Sequence, residues 1–197
     1  LYMDCKGSFK TVGNAIRAAK AIEEFNSSLF EEPVPHEKIE AMAHVRRKID
    51  IPVATGERLF TIFRFRELLE RGGADIVQPD MAHCGGMLEA RKIASIADSH
   101  YAAWAPHNAN GEISYASAVQ LAACIPNFAL QEYPKGEGES PKSEIVKGAP
   151  EIQDGFLNIP DSPGIGLTLA EDAMDRFPPI KMGTVTRQHI AGSIVEQ

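Results

Sequence analysis

The sequence predicts an α/β fold in which strands and helices alternate, and two observations support that prediction. Short apolar runs that favour strands recur along the first two thirds of the chain, and segments with helical periodicity lie between them. Six of these runs end in an acidic residue or a histidine, at intervals of 23 to 27 residues. Such an interval accommodates one strand, one helix and two short loops. The runs end at Asp4, Glu31, Glu57, Asp80, His107 and Glu132.

The regular placement of these polar side chains predicts a particular kind of α/β fold. A TIM-type (β/α) barrel carries its active-site groups at the C-terminal ends of successive parallel strands. The runs are apolar throughout, as expected for parallel strands that are covered on both faces. We therefore predict the C-terminal six βα units of such a barrel. Two further strands, on the N-terminal side, would be required to close it.

The predicted helices and domains follow from the same pattern. Residues 1–150 are predicted to form the partial barrel, 151–178 a return segment, and 179–197 a C-terminal tail. Beyond about residue 134 the chain is rich in Pro and Gly, so we expect loops and short extended pieces there, with one short helix over 169–177. Within the barrel, helices are predicted over 12–25, 38–48, 61–71, 86–99 and 112–125.

Composition narrows the functional classes. The chain has 197 residues, is 44% hydrophobic and 24% charged, and can bury an ordinary globular core. A net charge of −7 without a Lys/Arg cluster argues against a nucleic-acid surface, and no apolar run is long enough to span a membrane. Cys5, Cys84 and Cys124 form no CxxC pair, which favours a reduced, cytoplasmic setting. Because Leu1 opens inside a strand-like run, we expect the chain to be the C-terminal part of a longer protein.

Three carboxylates, Asp4, Glu31 and Glu57, end consecutive strands and should therefore converge. They would repel one another unless a cation lay among them, and ligation by oxygen alone suits Mg²⁺, or Mn²⁺ in its place. The alternative is that each carboxylate pairs with a neighbouring Lys or Arg as a solvated charge.

Asp80 and His107 end the next two strands. A carboxylate beside an imidazole orients the ring and raises its basicity, so the pair is predicted to act as a general base. The alternative is a structural histidine and a turn-capping aspartate. Glu132 ends the following strand and, when protonated, could donate a hydrogen bond to a developing oxyanion; a buried ion pair is the alternative.

Lys6 follows Asp4 by two residues, so on an extended strand it would point to the same side. It could act as an acid or bind a substrate carboxylate, and the alternative is a surface lysine.

His36 and His83 follow strand ends and are predicted to be exposed loop histidines, with a place in a substrate pocket as the alternative. Arg58 is expected to face away from Glu57.

Five motifs resemble the enolase superfamily, in its mandelate racemase/muconate lactonizing enzyme branch. They are FEEP at 30–33, ATGERLF at 54–60, DIVQPDMAHCGG at 75–86, PHN at 106–108 and NFALQEY at 127–133. The resemblance covers about residues 1–170 and is closest to galactonate-type sugar-acid dehydratases. Sites of this superfamily combine a Lys or His base with Mg²⁺.

The resemblance implies a role for each candidate residue. Asp4, Glu31 and Glu57 would bind Mg²⁺, Asp80 and His107 would form the acid/base dyad, and Glu132 would help to stabilise an enediolate. Galactonate-type dehydratases carry a leaving-group histidine where this sequence has Lys6. The resemblance also implies an N-terminal capping domain and two barrel strands that this sequence lacks, with residues 151–178 packed on that domain. A homo-oligomer is expected.

The predicted function is that of a lyase, a hydro-lyase acting on sugar acids. It would dehydrate an aldonate or aldarate to a 2-keto-3-deoxy acid, through α-proton abstraction and an enediolate. One alternative on the same fold is a racemase or epimerase of a 2-hydroxy acid. The other is a non-catalytic, truncated homologue.

Overall fold

The computed structural model describes residues 1–181, and strands and helices alternate along its first two thirds. Five short strands pair in chain order, and every pairing is parallel. The predicted α/β fold with a parallel sheet is therefore confirmed. Its elements are β1 (Met3–Asp4), α1 (Val12–Ile22), β2 (Phe30–Glu31), α2 (Ile39–Arg46), β3 (Val53–Thr55), α3 (Thr61–Glu70), β4 (Ile76–Val77), α4 (Gly86–Ser99), β5 (Ala103–Trp104) and α5 (Glu112–Ala122).

The helices lie close to their predicted positions. Helix α1 begins after Thr11, whose side chain accepts a hydrogen bond from the Asn14 N–H at 3.3 Å and so caps the first turn. It ends at Ile22, and the rest of the predicted span is a 3₁₀ helix, Glu23–Phe25. None of the helices within residues 1–181 is long and apolar enough to cross a membrane.

The sixth predicted strand is reduced to a single bridge. Phe128 pairs in parallel with Trp104 of β5. The Trp104 N–H donates to the Asn127 carbonyl at 2.8 Å, and the Ala129 N–H donates to the Trp104 carbonyl at 2.9 Å. Among the described residues no strand lies on the outer side of this segment, so Phe128 occupies an edge of the sheet. The register is that of a sixth parallel strand, but its hydrogen bonding does not continue to Glu132.

The core lies between the sheet and its helices. Helix α1 presents two fully buried alanines, Ala15 and Ala19, one turn apart, which allows close packing against the next helix and strand. Helices α3 and α4 pack on each other beneath the central strands. Because these apolar faces are buried, the register of the strands is fixed and their polar ends are aligned.

Beyond residue 134 the chain forms small antiparallel pairs rather than further βα units. β7 (Val146–Lys147) pairs with β10 (Thr168–Leu169) across the predicted boundary at residue 150, and β8 (Ile152–Gln153) pairs with β9 (Phe156–Leu157). The packing of 151–178 on a capping domain stays a prediction, and most of the predicted tail, 182–197, lies outside the described residues. The elements are β6 (Lys135–Gly138), α6 (Lys142–Ile145), β7 (Val146–Lys147), β8 (Ile152–Gln153), β9 (Phe156–Leu157), β10 (Thr168–Leu169) and α7 (Ala173–Arg176).

Candidate active site

The register of the sheet brings the predicted carboxylates to one edge. Asp4 and Glu31 are partners across β1 and β2, and Glu31 is in turn the partner of Ala54 in β3. Glu57 follows the end of β3 by two residues. The C-terminal ends of three adjacent parallel strands therefore carry the three side chains that the sequence singles out as metal ligands.

Gly56 positions Glu57 through a backbone conformation that other residues rarely adopt. Its φ is +142°, and a Cβ at this position would lie 2.8 Å from the Phe65 ring and 3.0 Å from the Gln78 nitrogen. Glycine therefore makes this turn into the site without strain, whereas any other residue would be strained here.

The side chain of Lys6 joins two of the three carboxylates. Its Nζ lies 2.9 Å from Asp4 Oδ2 and 2.8 Å from Glu57 Oε2. Strand β1 ends at Asp4, and Lys6 itself has a left-handed φ of 49°. The ammonium therefore reaches the predicted side of the sheet from a turn rather than from an extended strand. Partial burial lowers the pKa of Lys6, but hydrogen bonds to Glu57 and Asp4 more than offset this, so its pKa is raised.

Glu57 is in contact with three cationic or titratable groups. Besides Lys6, the Arg58 Nε donates to its Oε1 at 3.3 Å, and His107 Nε2 lies 3.3 Å from its Oε2. Arg58 therefore turns toward Glu57, contrary to the prediction that it faces away. Burial raises the pKa of the Glu57 carboxyl, but the hydrogen bond from Lys6 and the positive charges lower it more, so its pKa lies below the usual value.

Glu31 is the most enclosed of the three predicted ligands. It is 3% exposed, and its Oε1 has no hydrogen-bond partner among the described residues. Burial and the nearby Asp4 charge raise the pKa of Glu31 to about 7, although a hydrogen bond with Gln78 opposes the shift. A cation beside this carboxyl would favour its ionised form.

Glu32 is a buried carboxylate that is not among the predicted site residues. It is fully buried, and its Oε1 accepts hydrogen bonds from the Thr55 hydroxyl and from the Gly56 N–H, the latter at 3.1 Å. The side chain therefore ties β2 to the turn that carries Glu57. Glu32 is the second acidic residue of the FEEP motif, which could have drawn attention to it, but the sequence does not show that its side chain is buried.

Asp80 and His107 form a close pair across β4 and β5. His107 Nδ1 lies 2.6 Å from Asp80 Oδ2, and Asp80 is fully buried. Asp80 also accepts hydrogen bonds from the Ala82 N–H at 2.8 Å and from the Asn110 side-chain amide at 2.6 Å. The structure thus brings the predicted dyad together, and these donors hold the carboxylate in place.

The electrostatics of the pair favour the charged form of each partner. Burial raises the pKa of Asp80, but the hydrogen bonds with His107 and the Ala82 N–H lower it further, so its pKa falls below the usual value. Burial lowers the pKa of His107, but the hydrogen bond with Asp80 and the charges of Glu132 and Glu57 raise it more. With Nδ1 directed at Asp80, Nε2 is the ring nitrogen that faces the site.

Glu132 lies on the far side of the imidazole from Asp80. Its Oε2 is 4.0 Å from His107 Nε2 and accepts a hydrogen bond from the Asn108 N–H at 2.8 Å. His107 Nε2 therefore lies near two carboxylates, Glu57 at 3.3 Å and Glu132 at 4.0 Å.

Whether the three carboxylates can hold a metal ion depends on their geometry and on their donor chemistry. Within residues 1–181, no three His, Cys, Asp or Glu side chains are arranged so that they could hold a metal ion together. The donor chemistry nevertheless fits a hard divalent cation, because three carboxylates supply oxygens and Glu31 Oε1 is buried without a partner in the described chain. The positive charge between Asp4 and Glu57 is here that of Lys6.

A cavity of about 400 Å³ opens beside the dyad. His36 and His83 both line it; His83 is exposed, as predicted, whereas His36 is half-buried. His83 stacks edge-to-face on Phe60 with ring centroids 6.3 Å apart. The Nδ1 of His36 is buried and has no hydrogen-bond partner among the described residues. The walls thus carry several nitrogen groups that can bind hydroxyls or carboxylates. The lining residues are His36, Glu57, Arg58, Phe60, His83 and His107.

Comparison with protein families gives one match over most of the chain. The family described as "Enolase C-terminal domain-like" matches residues 1–173. A D-xylonate dehydratase of Haloferax volcanii is 39% identical over 175 residues, which are 87% of this chain and 41% of that protein. A D-galactonate dehydratase of Variovorax paradoxus is 34% identical over 185 residues, 90% of this chain and 48% of that protein.

Solved structures show the same likeness. An enolase from Agrobacterium radiobacter with bound Na and L-malate superposes with a TM-score of 0.88 at 28% identity, covering 98% of this chain and 52% of that one. A mandelate racemase/muconate lactonizing enzyme from Sulfitobacter sp. superposes with a TM-score of 0.82 at 38% identity, covering 88% and 43%. The chain spans about half the length of the relatives it matches.

Proposed function

Because this chain belongs to the enolase C-terminal domain-like family, we propose that it is the barrel part of a lyase that dehydrates a sugar acid to a 2-keto-3-deoxy acid. The observation that carries the proposal is the position of His107. Its Nδ1 is held 2.6 Å from buried Asp80, while its Nε2 faces Glu57 at 3.3 Å and Glu132 at 4.0 Å. The names of the dehydratases that the chain resembles support the same reaction.

A metal ion has a defined place in this proposal. Asp4, Glu31 and Glu57 would hold Mg²⁺, which would supply positive charge to the substrate carboxylate and to the enediolate as the α-proton leaves. The unpartnered oxygen of Glu31 and the ion-paired oxygens of Asp4 and Glu57 support this assignment.

In the proposed reaction, His107 removes the α-proton. With the ring proton on Nδ1 and directed at Asp80, the Nε2 lone pair accepts the proton from Cα. The electron pair of the broken C–H bond passes into the carboxylate and gives an enediolate. Glu132, when protonated, donates a hydrogen bond to the oxygen that gains charge.

Loss of water completes the dehydration. The enediolate expels the β-hydroxyl, which leaves as water after taking a proton from His107 Nε2 or from the Lys6 ammonium. The resulting enol loses its hydroxyl proton and gains one at C3 to become the keto acid, so no oxidant or reductant is involved. The remaining carbons of the substrate would occupy the cavity lined by His36, Arg58 and His83.

An epimerase is the second candidate, because two proton carriers meet at one carboxylate. Lys6 Nζ lies 2.8 Å, and His107 Nε2 3.3 Å, from the same oxygen, Glu57 Oε2. Lys6 follows β1 and His107 follows β5, and an epimerase would need two such groups on opposite faces of its α-carbon.

The direct test is an assay for keto acid on a panel of aldonic and aldaric acids, with full-length protein and Mg²⁺. We expect at least one acid to be converted, and the His107→Gln variant to be inactive on it. The proposal fails if the wild-type protein releases no keto acid from any member of the panel.

A further inference from the structure

The Lys6 ammonium lies where a cation would bind two of the proposed metal ligands. Its Nζ is within 2.9 Å of Asp4 Oδ2 and 2.8 Å of Glu57 Oε2, although Glu57 is 51 residues further along the chain. A single ammonium therefore supplies the charge that keeps two otherwise repelling carboxylates together. Both carboxylates direct an oxygen at Lys6, and a divalent cation placed between the same carboxylates would be repelled by the ammonium.

The backbone around Lys6 is fixed on both sides. The Cys5 N–H donates to the Glu31 carbonyl at 2.9 Å, and the Gly7 N–H donates to the Glu32 carbonyl at 2.7 Å. The Lys6 N–H donates to Asp4 Oδ1 at 2.9 Å. If Lys6 moves, its side chain must therefore move on a stationary turn.

The side chain has room for that motion. It is 51% exposed, whereas Glu57 is 9% exposed. The long, flexible stem of a lysine can swing its ammonium into solvent without disturbing the core. The carboxylates would remain in place at the strand ends, with an oxygen freed on each.

We propose that Lys6 is an internal counter-ion of the metal-free protein, and that a divalent cation binds Asp4 and Glu57 only by displacing the Lys6 ammonium. This inference rests on the proposed metal site. The contacts of the Lys6 ammonium with Asp4 Oδ2 and Glu57 Oε2 are the observations that support it. The released ammonium would then lie in solvent beside the strand ends, where the proposed substrate would bind.

Displacement makes two measurable predictions. A site that is open for only part of the time has an apparent Kd equal to its intrinsic Kd divided by the open fraction. Removing the ammonium with Lys6→Met should therefore tighten Mn²⁺ binding about tenfold. Lys10, which is exposed and lies beyond the turn, supplies the matched control, and Lys10→Met should leave Mn²⁺ affinity unchanged.

The decisive experiment follows the lysine itself. Full-length wild-type protein would be treated briefly with an amine-acetylating reagent, with and without saturating Mg²⁺, and the modification of each lysine measured by mass spectrometry. We expect Lys6 to be acetylated several-fold faster with Mg²⁺, and Lys10 at the same rate in both. The displacement would be overturned if Lys6→Met bound Mn²⁺ more tightly but Lys6 of the wild-type protein were acetylated at the same rate with and without Mg²⁺. That combination would mean that the ammonium repels the metal ion without leaving its place.

The outcome is separable from that of the proposed function, because neither readout needs turnover. Absence of any Mg²⁺ or Mn²⁺ binding would also overturn the displacement. If metal releases Lys6 but no sugar acid yields keto acid, the displacement is supported and the dehydratase is rejected. If the protein converts a sugar acid to keto acid but metal does not release Lys6, the displacement is rejected and the dehydratase is supported.

Discussion

His107 and Asp80 are joined by a 2.6 Å contact between Nδ1 and Oδ2, with the carboxylate fully buried beneath the imidazole. The contact fixes which ring nitrogen faces the site. It also makes the two groups electrostatically dependent on each other, since each favours the charged form of its partner. A buried carboxylate in this position can act on the reaction only through the histidine.

The first prediction is that Asp80→Asn retains the fold but loses most of the activity. The amide conserves the shape and can still accept the hydrogen bond from Ala82, but it no longer stabilises a charged His107. We expect kcat to fall by about 10²–10⁴-fold. Circular dichroism and thermal unfolding would verify the fold, and near-wild-type kcat would contradict the role of the pair.

The second prediction concerns pH and the metal-free protein. The pKa of His107 is raised above its usual value of 6.5, so its interactions stabilise the fold fully below that value. The contribution is lost as the pH rises through the raised pKa. The pKa of Asp80 is lowered, so its contribution is present throughout the neutral range.

Urea unfolding in EDTA would measure this contribution. The free energy of unfolding of wild type minus that of His107→Gln should be larger at about pH 6 than at about pH 9. A difference that is constant or that grows with pH would contradict the assignment.

The third prediction is that Gly56→Ala destabilises the protein and disturbs Glu57. An added Cβ would meet the Phe65 ring at 2.8 Å, and the φ of +142° is itself strained for alanine. We expect a loss of about 2 kcal/mol or more in the free energy of unfolding. Gly155→Ala is the control, because Gly155 has a φ of +80° but nothing within 4 Å. An equal loss in both variants would show that the contact with Phe65 is immaterial.

The fourth prediction separates the role of Glu32 as a hydrogen-bond acceptor from the role of its charge. Burial raises the pKa of Glu32 above the usual value, despite hydrogen bonds from Thr55 and Gly56. Glu32→Gln keeps an acceptor for both donors, whereas Glu32→Ala leaves them unpartnered in the interior. We expect the alanine variant to lose about 1–3 kcal/mol more stability than the glutamine variant. Equal losses in chemical denaturation would show that the charge, rather than the acceptor, is essential.

The sequence predicted the sheet because its signals were local. Each strand is an apolar run, each helix has its own periodicity, and the polar ends of adjacent parallel strands must lie at one edge. The pairing of Asp80 with His107 follows from the same reasoning, because their strands are neighbours. The sixth strand was overestimated, because an apolar run does not show how far pairing extends, and here only Phe128 pairs with β5.

The contacts of Lys6, Arg58 and Glu32 could not be predicted in the same way. Lys6 reaches Glu57 from a left-handed turn. The prediction assumed an extended strand, in which alternate side chains point to the same side, and so did not include this turn. Arg58 turns toward Glu57 because Gly56 redirects the chain after β3 ends. Burial of Glu32 depends on the packing of three elements, and the motif alone does not distinguish it from its neighbour.

Deuterium incorporation tests the central claim, that His107 removes an α-proton and water is then lost. Full-length protein with Mg²⁺ would be incubated in D₂O with the sugar acid that it converts, and both product and remaining substrate examined by NMR. We predict a keto acid that carries solvent deuterium at C3, and a weaker reaction with no gain of epimerase activity for Lys6→Ala. Recovery of sugar acid with deuterium at C2 and inverted configuration, without keto acid, would contradict the dehydratase and favour the epimerase.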